Sequence, residues 1–185
     1  MTRFHFVRHG PTHARTMVGW SDLPADLSDT AAIARLSAYL PDGVVISSDL
    51  SRAIATADVI AGRRRLPHDP DLREINFGAW ELQHFADVPD QDLIRRYWEE
   101  PGDVSPPGGE SWNTVCARVN DAVDRLCAHQ GDVIVVAHFG VILTQVQRAL
   151  GIGAYAAMSH RIDNLSVTEI TWDGGWTSGR INFIP

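Results

Sequence analysis

Arg8 and His9 cut off an apolar run, Phe4 to Val7, and Gly10-Pro11 follow at once. Gly and Pro punctuate a chain that must turn, so this pair stands where a strand ends and a loop begins. In open α/β sheets ligands bind along that edge, outside the carboxyl ends of the strands. Arg offers a planar fork for phosphate oxygens, and His can act as nucleophile or acid/base near neutral pH. Two further apolar runs end in the same kind of chemistry. Val44-Val45-Ile46 leads through Ser47-Ser48-Asp49 to Arg52, in the first turn of the next helix, and Val133 to Ala137 ends in His138. If the three strands are neighbours, two guanidiniums and two imidazoles converge at one edge and can bind a phosphoryl group. That cationic surround holds the attacking imidazole neutral. Glu74, in an irregular segment, supplies the carboxyl group that a leaving alkoxide needs as proton donor.

The elements that must position these residues follow from periodicity and punctuation. Phe4–Val7, Val44–Ile46 and Asp132–Ala137 read as buried strands. Ser28 or Asp29 caps a helix to Tyr39, Leu50 to Ala61 reads as a second, and Asp90 to Glu99 as a third. Ser111 caps a long helix to His129, and another runs from Phe139-Gly140 to Leu150. Met17 to Ala25 is a loop, Leu72 to Trp80 irregular or short strand, and Arg63-Arg64-Arg65 a solvated turn. Ser166–Trp172 and Arg180–Ile184, joined through Asp173-Gly174-Gly175, read as a terminal hairpin. Strands alternating with helices predict an α/β fold, a three-layer α/β/α sandwich with a mainly parallel central sheet. We expect a single domain over residues 1–185, in which 81–109 is an excursion roofing the active site.

Composition narrows the functions. The chain has 185 residues, 44% hydrophobic and 21% charged, with a net charge of -7. That acidity argues against nucleic-acid binding. All 16 basic residues are Arg, which we attribute to coding bias. Cys116 and Cys127, eleven residues apart on one predicted helix, are too far along it to pair. Reduced thiols, no leader segment and no apolar run long enough to span a bilayer predict a cytoplasmic protein with no membrane association. His5 reads as a core histidine, because strand geometry sends it away from His9. Neither a metal nor a cofactor is expected.

Five segments in order resemble the histidine phosphatase superfamily, in its phosphoglycerate mutase-like branch. They are F-V-R-H-G-P-T (Phe6 to Thr12), S-S-D-L-S-R-A-I-A-T-A (Ser47 to Ala57), L-R-E-I-N-F-G-A-W-E (Leu72 to Glu81), G-G-E-S (Gly108 to Ser111) and V-V-A-H-F-G-V-I (Val135 to Ile142). The resemblance implies a phosphoglycerate mutase-like fold and a metal-independent hydrolase. His9 would become phosphohistidine. Arg8, Arg52 and His138 would hold the phosphoryl oxygens. Glu74 would be general acid and then base, with Glu110 the alternative proton source. Gly10 would let the other nitrogen of His9 bond main chain. The chain departs from the family pattern at three places. Arg15 stands where relatives carry an Asn that touches phosphate, Phe139 where they carry a small residue, and Leu82 where they carry Gly. Arg15, Phe139 and Trp20 are added as substrate-binding candidates. His84, Phe85, Tyr97 and Trp98 are further candidates for a substrate wall.

The resemblance implies a phosphomonoesterase acting on a small phosphorylated metabolite. Two alternatives stand beside it: a phosphoglycerate mutase, and a non-catalytic phospho-ligand-binding scaffold on the same fold. Mutases grip a carboxylate with extra basic residues in an insertion. Here the matching span, Glu81 to Gly109, carries only Arg95, Arg96 and His84, which favours release to water. A scaffold needs neither acid nor nucleophile. A homodimer is left open.

Overall fold

The three apolar runs that end in Arg8-His9, in the approach to Arg52 and in His138 lie side by side. The computed structural model describes residues 1–60 and 62–185. Its strands are β1 (Thr2–Arg8), β2 (Val44–Ser47), β3 (Arg64–Arg65), β4 (Gly131–Ala137), β5 (Val167–Trp172) and β6 (Trp176–Ser178). They form one sheet in the order β3-β2-β4-β1-β5-β6. β4 pairs in parallel with β1 and β2, and β2 with β3. β5 runs antiparallel to β1, and β6 to β5. The carboxyl ends of β2, β4 and β1 therefore share one edge, the edge where open α/β sheets bind ligands.

Helices α1 (Thr30–Tyr39), α2 (Ser51–Val59), α3 (Gln91–Glu99), α4 (Trp112–Leu126), α5 (Phe139–Leu150) and α6 (Ala154–Met158) cover the sheet. Alternation along each strand assigns its faces. Phe4, Phe6, Val133, Val135 and Ile46 belong to one buried cluster with the apolar sides of α3, α4 and α5. Val7, Ile134, Val136 and Val45 belong to a second with Leu36 and Leu40 from α1 and its end and with Ala53 and Ala57 of α2. The fold is thus the three-layer α/β/α arrangement expected. Each large apolar side chain fully buried here contributes about 1.5–3 kcal/mol relative to exposure. Asp29 caps α1 by accepting from Ala32 N, and Ser111 caps α4 by accepting from Thr114 N. Gly151, at φ 62° in the left-handed region, ends α5.

Two expectations need correction. The second strand of the terminal hairpin is Trp176–Ser178; residues 180–184 contribute one isolated bridge, Phe183 with Val167. Asp173-Gly174-Gly175 already reverses the chain, so pairing resumes at Trp176. Arg64–Arg65 is not a turn but an edge strand beside β2, and the Arg63 guanidinium donates to the carbonyls of Pro41, Ser37 and Leu40. Of the two readings of Leu72 to Trp80, irregular or short strand, the irregular one holds: two 3-10 turns, Pro70–Leu72 and Gly78–Trp80, flank Glu74. The expected end of the second helix at Ala61 lies outside the described residues. The short helix α6 was not legible in the sequence. Cys116 and Cys127 are free, and burial pushes the Cys116 thiol up to about 11.

Candidate active site

His9 extends the ladder one residue beyond β1, its N–H donating to the Ala137 carbonyl at 3.1 Å. Its own carbonyl accepts from Asn164 Nδ2 at 2.7 Å. Gly10 then turns away, donating its N–H to Thr56 Oγ1 at 2.9 Å. A Cβ on Gly10 would come within 2.6 Å of Leu27 Cδ2 and 3.1 Å of the Asp26 carbonyl, so a side chain here would push Leu27 aside. The turn leaves His9 Nδ1 2.7 Å from the Gly10 carbonyl. A carbonyl only accepts, so Nδ1 carries the proton and Nε2 holds the lone pair. Arg52 Nε donates to that lone pair at 3.2 Å. Burial, then the Arg52 charge and the Arg8 charge, lower the His9 pKa to about 3. The imidazole is neutral.

Arg52 is 1% exposed. Its two terminal nitrogens donate to Ser21 O at 2.8 Å and Gly19 O at 2.6 Å. The Glu81 carboxylate shapes that loop, accepting from the N–H groups of Gly19, Trp20 and Ser21, the Ser21 hydroxyl and Phe77 N. Arg8 anchors one nitrogen on Ile162 O at 2.6 Å, and its guanidinium lies 5.5 Å from the centre of the Phe139 ring. His138 is fully buried, with its ring centroid 5.0 Å from that of His9. Its Nε2 lies 2.7 Å from Ser48 Oγ, while Nδ1 is buried without a partner. Burial first, then the neighbouring His9, Arg52 and Arg8, hold the His138 pKa well below 6.5.

The Glu74 carboxylate sits over the amino end of α5. Oε1 accepts from Ile75 N at 2.9 Å and Gly140 N at 3.0 Å. A Cβ at Gly140 would lie 2.5 Å from Oε1, so this approach needs glycine. Burial raises the Glu74 pKa against the opposing pull of the two amides and of Arg52 and Arg8. Arg118 fixes the segment from behind, donating to the carbonyls of Asp71, Arg73 and Glu74. It also holds both oxygens of Glu110, which in turn accepts from Asn76 N. Glu110 is therefore committed to an ion pair and is not an alternative proton source.

Arg8, His9, Arg52, Glu74 and Phe139 line one cavity of about 170 Å³, together with Thr12, Ala14, Thr16, Val18 and Phe77. Arg15 and Trp20 do not reach it. Thr12, Ala14, Thr16 and Val18 are on its wall, whereas Arg15 is exposed to solvent. Trp20 packs outside, its indole N–H donating to the Glu74 carbonyl at 2.8 Å and its ring lying 4.9 Å beneath the Arg73 guanidinium. No residue of the 81–109 excursion lines this cavity. Glu81 acts on it through the 19–21 loop, and Trp98 borders a neighbouring hollow. Leu82 takes the left-handed φ of 62° that glycine adopts freely. Sequence reasoning missed Ser48, Thr56, Glu81, Arg118 and Asn164. Each acts by a hydrogen bond to a distant segment, for which local sequence carries no signal.

Among the described residues no group of His, Cys, Asp or Glu is arranged to hold a metal ion, and no helix is long and apolar enough to cross a membrane. The family model described as histidine phosphatase superfamily (branch 1) matches residues 4–183. The Bifunctional protein Rv2228c of Mycobacterium tuberculosis is 31% identical over 98% of this chain and 54% of its own length. The chain thus spans about half the length of the first curated relatives it matches. The adenosylcobalamin/alpha-ribazole phosphatase of Escherichia coli is 28% identical over 87% of this chain and 85% of its own. The solved structure of YhfR from Bacillus stearothermophilus superposes with a TM-score of 0.90 at 25% identity, covering 100% of this chain and 98% of that one.

Proposed function

The chain belongs to the histidine phosphatase superfamily (branch 1), and from that premise we propose that it hydrolyses a small phosphomonoester through a phosphohistidine on His9. One observation carries this reading. The unprotonated Nε2 of a neutral His9 stands in a cavity shared with two guanidiniums and a buried carboxyl group of raised pKa. Nucleophile, electrostatic stabilisers and acid occupy one site, as acid-assisted phosphoryl transfer requires.

The phosphoryl group enters against Arg8 and Arg52. Arg8 Nε and His138 Nδ1 are buried donors without a protein acceptor, and phosphoryl oxygens supply the missing partner. With Ser48 Oγ donating to His138 Nε2, the neutral imidazole carries its proton on Nδ1, free for a phosphoryl oxygen. His9 Nε2 attacks phosphorus as the ester P–O bond breaks, and the leaving oxygen takes the Glu74 proton. The Glu74 carboxylate then removes a proton from water, which attacks phosphorus and breaks the N–P bond. Inorganic phosphate leaves and His9 returns to its starting state. No step calls for a metal.

Release to water is favoured over return to a second hydroxyl. Among the described residues the cations on the cavity wall are Arg8 and Arg52, both facing the phosphoryl group, which leaves no further cation on that wall to grip a mutase substrate's carboxylate. Two free thiols suit a reducing cytoplasm. The test is to quench the purified protein during turnover of a phosphomonoester panel. We expect an acid-labile, base-stable phosphoprotein that His9→Ala abolishes. Labelling that persists in His9→Ala refutes the assignment.

A further inference from the structure

A second hollow of about 270 Å³ adjoins the first, lined by Trp98, Phe139, Tyr155, Met158 and Ser159. Phe139 belongs to the wall of both. The two are joined again through Phe77, a wall of the first cavity, whose ring centroid lies 6.0 Å from that of Trp98 in the second. The lining is three aromatic rings, a thioether and a serine. The serine hydroxyl is spent on the Ala156 carbonyl at 2.6 Å. No charged side chain lines the hollow. Tyr155, 65% exposed on a five-residue helix, is a large aromatic side chain left to solvent at the rim.

These walls specify a leaving group. A phosphoryl group held at His9 points its ester oxygen out of a cavity too small for much else. The hollow that shares the Phe139 wall with this cavity is apolar and aromatic. We propose that the second hollow binds the leaving group of the substrate, and that this group carries an uncharged aromatic ring stacked among Phe139, Trp98 and Tyr155. The inference rests on the phosphomonoesterase reading and narrows it. A carboxylate or second phosphate in that position would be desolvated with no cation to meet it, which disfavours acidic leaving groups. Flat rings gain both burial and ring–ring contact.

Primary alkyl phosphates of similar leaving-group pKa separate this recognition from chemistry. kcat/KM should be on the order of tenfold higher for 2-(naphthyl)ethyl phosphate than for propyl phosphate, a preference that burying one ring readily supplies. 3-Phosphoglycerate should be the poorest substrate of the three. Tyr155→Ala should erase most of the aromatic preference and Tyr155→Phe should keep it, because the ring and not the hydroxyl is at work. Leu150→Ala, on the exposed end of α5, should leave the preference intact. Equal kcat/KM for the naphthyl and propyl esters, or a preference untouched by Tyr155→Ala, overturns the inference while the phosphatase reading stands. If no ester is hydrolysed, the phosphatase reading fails and takes this inference with it.

Discussion

Arg52 donates its Nε–H to Nε2 of His9 across 3.2 Å, while its two terminal nitrogens are tied to the carbonyls of Gly19 and Ser21. A single buried guanidinium thus touches the attacking atom and is held by its far end. Its charge suppresses protonation of His9, and in the proposed mechanism its Nε–H passes to a phosphoryl oxygen when the lone pair turns to phosphorus. Geometry and electrostatics are set by the same three contacts.

Arg52→Ala should therefore lower kcat by on the order of a hundredfold or more, as does the loss of other preorganised electrostatic donors. Arg52→Lys should recover little of it. An ammonium cannot bridge His9, Gly19 and Ser21 as the planar fork does. Steady-state kinetics on an alkyl phosphate decides this, and wild-type turnover in either variant would remove Arg52 from the site.

The pH dependence follows from the two buried groups. His9 must be neutral, and its pKa of about 3 puts the acid limb of kcat/KM there instead of near the usual 6.5. Glu74 must be protonated for the first step, and burial raises its pKa, so the alkaline limb lies above the ordinary carboxylate value of 4.5. Arg52→Ala should move the acid limb upward. Stability carries the same signature. Between about 3 and 6.5 the unfolded chain binds a proton at His9 that the folded protein refuses, so stability is present above that window and declines as pH falls through it. His138, also depressed, adds in the same sense, and Glu74, raised, acts in the opposite one. Melting temperatures at pH 7 and pH 4.5 should show the decline, and His9→Ala should reduce it.

What the sequence made legible was local. Three apolar runs broken by polar residues located β1, β2 and β4, and their shared order of strand, turn and charged residue located His9, Arg52 and His138. Adjacency of the strands could not be read, because parallel partners β1 and β4 are far apart in the chain. The same holds for Glu81, whose partner Gly19 lies 62 positions away, and for Arg118, whose partner carbonyls at Asp71, Arg73 and Glu74 lie 44 to 47 positions away. Arg15, whose type suits phosphate, lies exposed outside the cavity wall, a placement that residue type alone does not carry.

Glu81 offers a test of such long-range support. Its carboxylate gathers the amides of residues 19–21, and the carbonyls of Gly19 and Ser21 in turn hold Arg52. Glu81→Ala should lower kcat/KM by roughly tenfold or more, since small misplacements of a positioned group are costly. In an Arg52→Ala background the same change should cost much less, because the group it positions is gone. Full additivity in this double-mutant cycle would mean that Glu81 supports the fold generally and not Arg52.

Glu74 is the residue whose role chemistry can isolate. If it protonates the leaving oxygen, its loss matters most when that oxygen is a poor leaving group. An alkyl phosphate needs the proton, whereas p-nitrophenyl phosphate hardly does, because its phenolate is already stable. Glu74→Gln keeps an oxygen for the amides of Ile75 and Gly140, so the loop and the start of α5 should hold their places. It should slow phosphoenzyme formation from the alkyl ester by on the order of a hundredfold, the usual span of general acid catalysis, and from the nitrophenyl ester far less. The single-turnover burst is the measurement, because the proposed mechanism also gives Glu74 a role in activating water in the second step, and steady-state rates would mix the two roles. Glu110 cannot substitute, being locked onto Arg118. Equal slowing of the burst for both esters would leave Glu74 a shaping residue of the cavity, with the proton coming from solvent.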